Sequence, residues 1–311
     1  MDFLRVGYAA RDVVFDAFRT YCQSLPADAS EVVRARERVL RDAGVSEDDI
    51  AKQEASFCTA VFPNTVPTMY WSIVELFSRP DVLAAVRGEL EANAVRRKDG
   101  GDGDGDTHAF VLDVAALKTR CPLLLSVLQE TQRTRAVNAM VRKVMDDTVL
   151  DGRYLLKKGN FLQIPSQPLH LSTAHWGASA ETFDPYRFVA AGAGAGAGAG
   201  DVEKERAGGT STSASSMFMP WGAAPHLCPA RQFATTEIMM VLALLALRVE
   251  MKPAGRDGRW DREAPLVTGD LVTVLNPARE ARLVVSVRDG GDGTWKLEMG
   301  DSRTKVPLAS G

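Results

Sequence analysis

The sequence predicts a mainly helical protein that carries small β-sheets. Apolar residues recur at helical spacing through the first hundred residues and again from Pro229 to about Glu250. Between Met140 and Ile164 the pattern changes to alternation, which is typical of short strands. The chain has 311 residues, 45% of them hydrophobic, so it can bury a large core without disulfides or structural metals.

The first hundred residues predict helices. Two segments, Ala10 to Cys22 and Ser30 to Ala43, are followed by a longer one that starts at Ser46 and continues towards Ala94 with one or more breaks. Ser46 with Asp49 three residues later approximates a capping box, a pattern that marks a helix start. We therefore expect this part of the chain to be helical.

The rest of the chain mixes helices with strands. A helix is predicted from Leu123 to Arg133, with Pro122 in its first turn. Asp151-Gly152 predicts a tight hairpin turn, and Asn276-Pro277 predicts a second hairpin near the end of the chain. The predicted strands are Met140–Val144, Thr148–Leu150, short strands within Tyr154–Ile164, Leu271–Val274 and Arg282–Val287.

Two segments have compositions that cannot form a packed core. Residues 99–107 are rich in Gly and Asp, and residues 190–216 alternate Ala with Gly before a Ser-rich stretch. Side chains this small or polar bury little apolar surface. Both segments are predicted to be flexible insertions within one domain that covers residues 1–311.

Charge and cysteine usage exclude several classes of protein. The 37 Lys and Arg residues against 40 Asp and Glu give a net charge of −3, with basic residues scattered, so no nucleic-acid partner is expected. The four cysteines lie far apart, which indicates a reducing compartment and neither a zinc finger nor a disulfide framework. His170 and His175 are expected to be hydrogen-bonded structural residues. No export signal or spanning segment is predicted.

The clearest chemical signal lies at residues 218–231. Cys228 ends a loop that contains Pro and Gly, and Pro229 directly follows at a position favoured in the first turn of a helix. This order predicts Cys228 as the N-cap of a long helix, where free amides and the helix dipole favour a thiolate. Such a thiolate can serve as a nucleophile or a metal ligand. A buried, inert thiol is the alternative.

At this segment the sequence resembles the cytochrome P450 family of haem-thiolate enzymes. The haem loop of that family reads aromatic-Gly-x-Gly-x-(Arg/His)-x-Cys-x-Gly, and the two later glycine positions carry alanine here. Four positions match: Trp221, Gly222, His226 and Cys228. The resemblance implies that Cys228 ligates the iron of haem b and that His226 reaches a haem propionate.

Two further motifs match the same family. Glu130 and Arg133 lie three residues apart on a predicted helix, and Arg187 lies within Phe183-Asp-Pro-Tyr-Arg-Phe188. Taken alone, a pair at this spacing is usually a solvated surface pair. The resemblance implies that the three residues form a buried structural triad that fixes the loop geometry behind the haem. It also implies that Arg142 binds a second propionate.

A third match lies in the segment Thr59–Thr68. Pro63 and Pro67 each remove a helical hydrogen bond, so they predict a bend there. The family carries an acid followed by Thr at this point, and the pair delivers protons for oxygen activation. Here Asn64 replaces the acid and Thr65 is kept. The resulting Asn-Thr-x-Pro motif resembles the branch of sterol 7α-hydroxylases, prostacyclin synthase and their fungal relatives. A kink used only for packing is the alternative.

The resemblance implies an N-terminally truncated cytochrome P450 fold, of which this chain is the C-terminal portion. The implied activity is a monooxygenase that inserts one atom of O2 into a lipophilic substrate, sterol-like or fatty-acid-like, with electrons from NADPH through a cytochrome reductase. Relatives of this kind lie on the cytoplasmic face of the endoplasmic reticulum. A peroxide isomerase or dehydratase of the same fold and a non-catalytic remnant are the alternatives. We expect little activity from the truncated chain alone.

Overall fold

The computed structural model describes residues 3–98, 109–189, 217–255, 257–269, 272–301 and 303–310. The chain divides into two compact units, Met1–Asn64 and Thr65–Gly311, and the division falls within one long helix, Glu47–Phe77. The insertions predicted at 99–107 and 190–216 lie outside the described residues. That residues 1–311 belong to one catalytic domain stays a prediction.

The first unit is helical, as predicted. Its helices are α1 (Phe3–Gln23), α2 (Glu31–Asp42) and the first part of α3 (Glu47–Phe77). Helix α2 begins after Ser30, whose hydroxyl accepts a hydrogen bond from the Val33 amide. Before α3, the Ser46 hydroxyl accepts from the Asp49 amide at 3.2 Å and donates to the Asp49 carboxylate at 2.8 Å. The predicted helix start at Ser46 is therefore confirmed. The Asp49 carboxylate accepts from the Ser46 hydroxyl, whereas in a capping box it would accept from the Ser46 backbone amide.

Helix α3 continues as an α-helix through both of its prolines, Pro63 and Pro67. The break predicted in the long helical segment lies further on, at Ser78 and Arg79, and α4 then covers Pro80–Asn93. A proline is tolerated in the first turn of a helix because its missing N–H would have no partner there. The break therefore coincides with a proline that starts a new helix.

The second unit contains further helices and all of the described strands. The helices are α4, α5 (Val114–Arg120), α6 (Pro122–Arg135), α7 (Ser166–His170), α8 (Thr173–Trp176) and α9 (Arg231–Arg248). The strands are β1 (Val95–Lys98), β2 (Ala109–Asp113), β3 (Ala139–Lys143), β4 (Thr148–Leu150), β5 (Tyr154–Leu156), β6 (Phe161–Pro165), β7 (Val249–Pro253), β8 (Leu283–Val287) and β9 (Thr294–Glu298). The mainly helical class with small sheets is confirmed.

The strands form small sheets. Strand β2 pairs antiparallel with β1 and parallel with β9, and the pairs β3–β6, β4–β5 and β7–β8 are antiparallel. The predicted turn between β4 and β5 is confirmed, because Asp151 and Gly152 have φ values of 52° and 64°. The segment Tyr154–Ile164 divides between two sheets, since Gly159 with φ 87° reverses the chain between β5 and β6.

The hairpin predicted near the end of the chain is wrong. Strand β8 pairs with β7, which directly follows helix α9. Val274 forms an isolated bridge with Ala136, and Leu271 lies outside the described residues. Alternation and a turn signal identify a strand, but they do not identify its partner, which here is the earlier strand β7.

The main core of the second unit lies between α4, α5, α6 and α9. Its fully buried side chains include Val86, Leu90, Leu117, Leu124, Leu128, Met239 and Leu242. Helix α6 is buried continuously from Leu123 to Arg133, so its polar residues must find partners inside the protein. None of the described helices combines the length and apolar character needed to cross a lipid bilayer.

Gly291 is predicted to be intolerant of a side chain. A Cβ atom at this position would lie 2.7 Å from the Arg248 carbonyl oxygen and 2.9 Å from the Arg248 Cα atom. We expect Gly291→Ala to lower the free energy of unfolding by about 1–3 kcal/mol. Gly88→Ala, in the exposed face of α4 with open space around it, should raise it by about 0.5–1 kcal/mol. Denaturant unfolding measures both, and equal stability of the two variants would contradict the close approach.

Candidate functional site

Backbone hydrogen bonds close the cysteine loop, which we define as Met219–Cys228. The Cys228 amide donates to the Trp221 carbonyl at 2.8 Å, and the His226 amide donates to the Ala223 carbonyl at 3.1 Å. Gly222 has φ +88°, and a Cβ atom there would lie 3.1 Å from the His226 carbonyl oxygen. Both the backbone conformation and the space therefore favour glycine at this position.

The helix after the cysteine loop begins later than predicted. Helix α9 starts at Arg231 with Ala230 as its N-cap, so the prediction of Cys228 as the N-cap is wrong. The Cys228 carbonyl instead accepts from the Arg231 amide at 3.3 Å, and this bond closes a turn with Pro229 in its second position. A proline suits that turn position as well as a first helical turn, because both require φ near −65°.

The thiol of Cys228 is available at the end of this loop. Cys228 is a free cysteine that is partly exposed, whereas Cys121 is buried. Burial raises the pKa of the Cys121 thiol to about 12, with the nearby charge of Glu89 adding to the shift. Cys121 is therefore held as an unreactive thiol, and Cys228 is the partly exposed sulfur in the predicted motif.

Basic side chains surround the cysteine loop. The Arg142 guanidinium, on β3, donates from Nη2 to the Ala223 carbonyl at 3.2 Å, and the Arg231 guanidinium donates from Nη1 to the Cys228 carbonyl at 3.0 Å. His226 is exposed within the loop. The structure therefore brings Arg142, predicted from sequence, and Arg231, which was not predicted, to the same loop. Guanidinium groups suit the binding of carboxylates such as propionates.

The Glu130 carboxylate binds two arginines in the interior of the second unit. Arg133 donates to it from Nε and Nη2, each at 2.7 Å, and both side chains are fully buried. Arg187 donates from Nε to both carboxylate oxygens at 3.0 and 3.1 Å, and the Asp184 amide adds a contact at 3.0 Å. The three residues of the predicted triad therefore lie together in one buried network.

Arg133 uses every one of its N–H groups. Its two remaining donors on Nη1 bind the carbonyls of His170 at 2.5 Å and Ala180 at 2.6 Å, and Nη2 also reaches the Thr182 carbonyl at 3.3 Å. A guanidinium offers five N–H donors in a fixed plane, so this site satisfies it completely. Arg133 thereby ties helix α6 to the segment that leads from α7 towards Arg187.

His170 connects that segment to the cysteine loop. Its side chain is fully buried, and its Nε2 atom accepts a hydrogen bond from the Met219 amide at 2.9 Å. Burial, reinforced by the nearby positive charge of Arg133, lowers the pKa of His170 to about 4. The imidazole is therefore neutral at pH 7, as an acceptor at Nε2 requires.

The distal residues predicted from sequence lie on helix α3. Asn64 is exposed, and its side-chain amide donates to the Ala60 carbonyl at 3.2 Å. Thr65 is half-buried on the next position of the helix. Asn64 is the last residue of the first unit, and Thr65 is the first residue of the second.

A second buried carboxylate, at Glu75, was not predicted. It accepts hydrogen bonds from Arg79 Nη1 and Arg135 Nη2, each at 2.6 Å, and the Arg135 guanidinium stacks 4.1 Å from the Trp71 ring centroid. These contacts join α3 to α6. The i, i+4 spacing of Glu75 and Arg79 was a signal for half of this cluster, but the spacing carries no information about Arg135.

The residues at the cysteine loop fit a haem held by one protein ligand. The described residues contain no group of three or more His, Cys, Asp or Glu that could hold a metal ion by itself. A haem iron needs no such group, because the porphyrin supplies four ligands and a single thiolate suffices from the protein. Phe233, in the first turn of α9, is 61% exposed and offers apolar surface close to the loop in sequence.

The closed cysteine loop with basic neighbours, on a mainly helical fold, agrees with the haem-thiolate class that the sequence motif resembles. The family model described as Cytochrome P450 matches residues 29–278. This match covers most of the chain. The chain therefore belongs to the cytochrome P450 family, whose members bind haem iron.

Relatives of the chain carry names from the same family. A cytochrome P450 monooxygenase, nodJ, of Hypoxylon pulicicidum is 32% identical over 91% of this chain and 52% of the relative. A cytochrome P450 monooxygenase of Gibberella zeae is 30% identical over 91% of this chain and 53% of the relative. Cholesterol 7-alpha-monooxygenase of Cricetulus griseus is 25% identical over 80% and 48%. The chain spans about half the length of these relatives.

Arg133→Ala is predicted to destabilise the fold strongly. The substitution leaves the buried Glu130 carboxylate without its closest partner and the backbone carbonyls of His170 and Ala180 without a donor, so we expect a loss of about 3–5 kcal/mol. Arg153→Ala is the control, since Arg153 forms an exposed ion pair with Asp151 and should change stability by less than about 1 kcal/mol. Thermal unfolding compares the two variants. A normally stable Arg133→Ala protein would show that the network is dispensable.

The low pKa of His170 predicts a loss of stability in acid. The unfolded state takes up a proton below the ordinary histidine pKa of about 6.5, whereas the folded state resists protonation until about pH 4. His170 should therefore contribute roughly 3 kcal/mol less at about pH 4 than at about pH 7. We expect His170→Gln to show a flatter decline in unfolding free energy across this range. Parallel pH profiles of the two proteins would contradict the assignment.

Proposed function

We propose that the protein is a haem-thiolate monooxygenase in which Cys228 ligates the iron of haem b. The observation that carries the proposal is the placement of a free, partly exposed Cys228 thiol at the end of a hydrogen-bonded loop in a cytochrome P450 chain. When bound, the haem supplies the redox chemistry that activates O2. Electrons from NADPH, delivered by a cytochrome reductase, and a lipophilic substrate complete the proposed reaction.

Arg142 and His226 are proposed to bind the haem propionates. The Arg142 guanidinium already makes contact with the Ala223 carbonyl, which leaves N–H donors for a carboxylate. His226 lies exposed in the same loop, two residues before Cys228. Trp221 and Gly222 complete the proposed cofactor-binding set. The Trp221 carbonyl accepts a hydrogen bond from the Cys228 amide, and Gly222 permits the close turn.

The buried triad of Glu130, Arg133 and Arg187 is proposed to act as a structural support. Its members contact one another and the backbone of the segment from His170 to Asp184, and none of them reaches the thiol through a described contact. A network of charge-assisted hydrogen bonds in a buried environment is rigid. The triad thereby fixes the backbone to which the cysteine loop is attached.

Thr65 is proposed to deliver protons on the face of the haem opposite Cys228. A hydroxyl both donates and accepts hydrogen bonds, so Thr65 can orient a water molecule and relay its proton. The Asn64 amide does not ionise, and it already donates to the Ala60 carbonyl. Asn64 therefore cannot replace the acid that usually precedes this threonine. This observation favours a second candidate function, a peroxide isomerase or dehydratase that needs neither proton delivery nor a reductase.

The names of the relatives support an oxygen-inserting reaction, and one of them supports a sterol-like substrate over the fatty-acid-like alternative. Two fungal relatives are named as monooxygenases, and a mammalian relative is named for oxidation of cholesterol. Location on the cytoplasmic face of the endoplasmic reticulum, close to a reductase and to lipid substrates, is part of the same proposal.

Cys228→Ala is predicted to abolish the thiolate spectrum. The reduced protein exposed to carbon monoxide should show a thiolate-type Soret band, and Cys228→Ala should lose it because no other thiol occupies the loop. Cys58→Ala and Cys121→Ala are the controls, since one removes a partly exposed thiol and the other a buried thiol. If Cys228→Ala kept the thiolate-type band, the ligand assignment would be wrong.

Substitutions of Thr65 separate the two candidate functions. The assay uses this chain fused to the N-terminal half of a longer relative, because little activity is expected from the chain alone. We expect Thr65→Val, which keeps the shape but removes the hydroxyl, to lower reductase-dependent product formation by about a hundredfold, while Thr65→Ser stays close to the wild type. Product formation and NADPH consumption are measured together. Turnover of a lipid hydroperoxide without NADPH, at equal rates in both variants, would favour the isomerase.

A further inference from the structure

His170 makes two different contacts at the boundary between the triad and the cysteine loop. Its backbone carbonyl accepts a hydrogen bond from Arg133 Nη1 at 2.5 Å. Its imidazole Nε2 accepts a hydrogen bond from the Met219 amide at 2.9 Å. One residue therefore joins the buried ion network on one side to the first residue of the cysteine loop on the other.

The imidazole contributes an acceptor to this contact. Because Nε2 accepts, the ring proton resides on Nδ1, which is buried and has no partner among the residues that the structure describes. Arg133 lies on helix α6, and its positive charge opposes protonation of the His170 ring. The guanidinium of Arg133 is itself paired with Glu130 on the same helix. The ring also packs against Phe218, with centroids 5.6 Å apart. An apolar side chain would satisfy the packing against Phe218, but only a side chain with an acceptor atom can also bind the Met219 amide.

Both backbone hydrogen-bonding groups of Met219 have partners. Its amide binds His170, and its carbonyl accepts a hydrogen bond from the Gly222 amide at 3.3 Å. The loop then closes through the bond between the Cys228 amide and the Trp221 carbonyl at 2.8 Å. A displacement of Met219 would therefore be transmitted through two consecutive backbone contacts to the residue that carries the thiol.

We propose that His170 is a positioning residue of the haem-thiolate site, which fixes the start of the cysteine loop through Nε2 and thereby the position of the Cys228 sulfur. The consequence for the site rests on the proposed function, because it takes Cys228 as the iron ligand. The contact between His170 and Met219 does not depend on that assignment. The two parts are tested by different measurements.

The first measurement is hydrogen exchange of the Met219 amide in the protein as purified. We expect His170→Leu, which removes the acceptor, to accelerate this exchange at least tenfold. His170→Gln, whose side-chain oxygen can take the place of Nε2, should stay close to the wild type. His175→Leu is the matched control, because His175 is exposed on α8. If His170→Leu does not fold, His170→Asn replaces it, since its shorter side chain does not reach Met219.

The second measurement is the ratio of thiolate-type to thiol-type Soret bands in the reduced, carbon monoxide-bound protein. We expect His170→Leu to lower the thiolate fraction at least twofold, with rescue in His170→Gln and no change in His175→Leu. A role limited to overall stability would lower the yield of haem protein and leave this ratio unchanged. An unaltered ratio in His170→Leu would overturn the role of His170 in positioning Cys228, and unaltered Met219 exchange would overturn the contact on which that role rests. A wild type without any thiolate band would refute the proposed function, and Met219 exchange would still decide the contact.

Discussion

The buried carboxylate of Glu130 is the interaction on which the arrangement of the second unit depends. It neutralises Arg133 in the interior of the second unit, where an unpaired guanidinium would be very costly. Because its charge is compensated, Arg133 can donate its remaining N–H groups to backbone carbonyls between His170 and Thr182. Arg187 adds a second cation to the same carboxylate and binds the Ser179 carbonyl at 2.9 Å. The irregular segment is thus held by charge-assisted hydrogen bonds instead of by a sheet.

Helix α6 distributes this support in two directions. One end of the network reaches the cysteine loop through His170, and Arg135 on the same helix reaches Glu75 on α3. Both anchoring carboxylates are buried and each accepts from two guanidinium groups. Helix α6 therefore contacts the helix that carries Thr65 directly, and it is connected to the loop that carries Cys228 through His170. In the proposed haem site, such a shared support would hold Thr65 and Cys228 in a fixed geometry.

The sequence predicted the local features of this arrangement better than the long-range ones. Glu130, Arg133 and Arg187 were grouped because a spacing and a family resemblance pointed to them, and their contacts lie in one network. The N-cap prediction at Cys228 failed because Pro229 suits a turn and a first helical turn equally. The Glu75 partner Arg135 and the pairing of β7 with β8 were not predicted. Each depends on tertiary packing that local periodicity does not encode.

The parallel pairing of β2 with β9 has a consequence for the order of assembly. Strand β1, a partner of β2, lies close to it in the chain, whereas Thr294, the partner of Ala109 in β9, is synthesised much later. Until then one edge of β2 presents unpaired amides and carbonyls, which are a template for mispairing with other chains. Contacts of such large sequence separation form slowly, and nascent chains start to fold from the N-terminal side. The edge of β2 that pairs with β9 can therefore be completed only after Thr294–Glu298 has been synthesised.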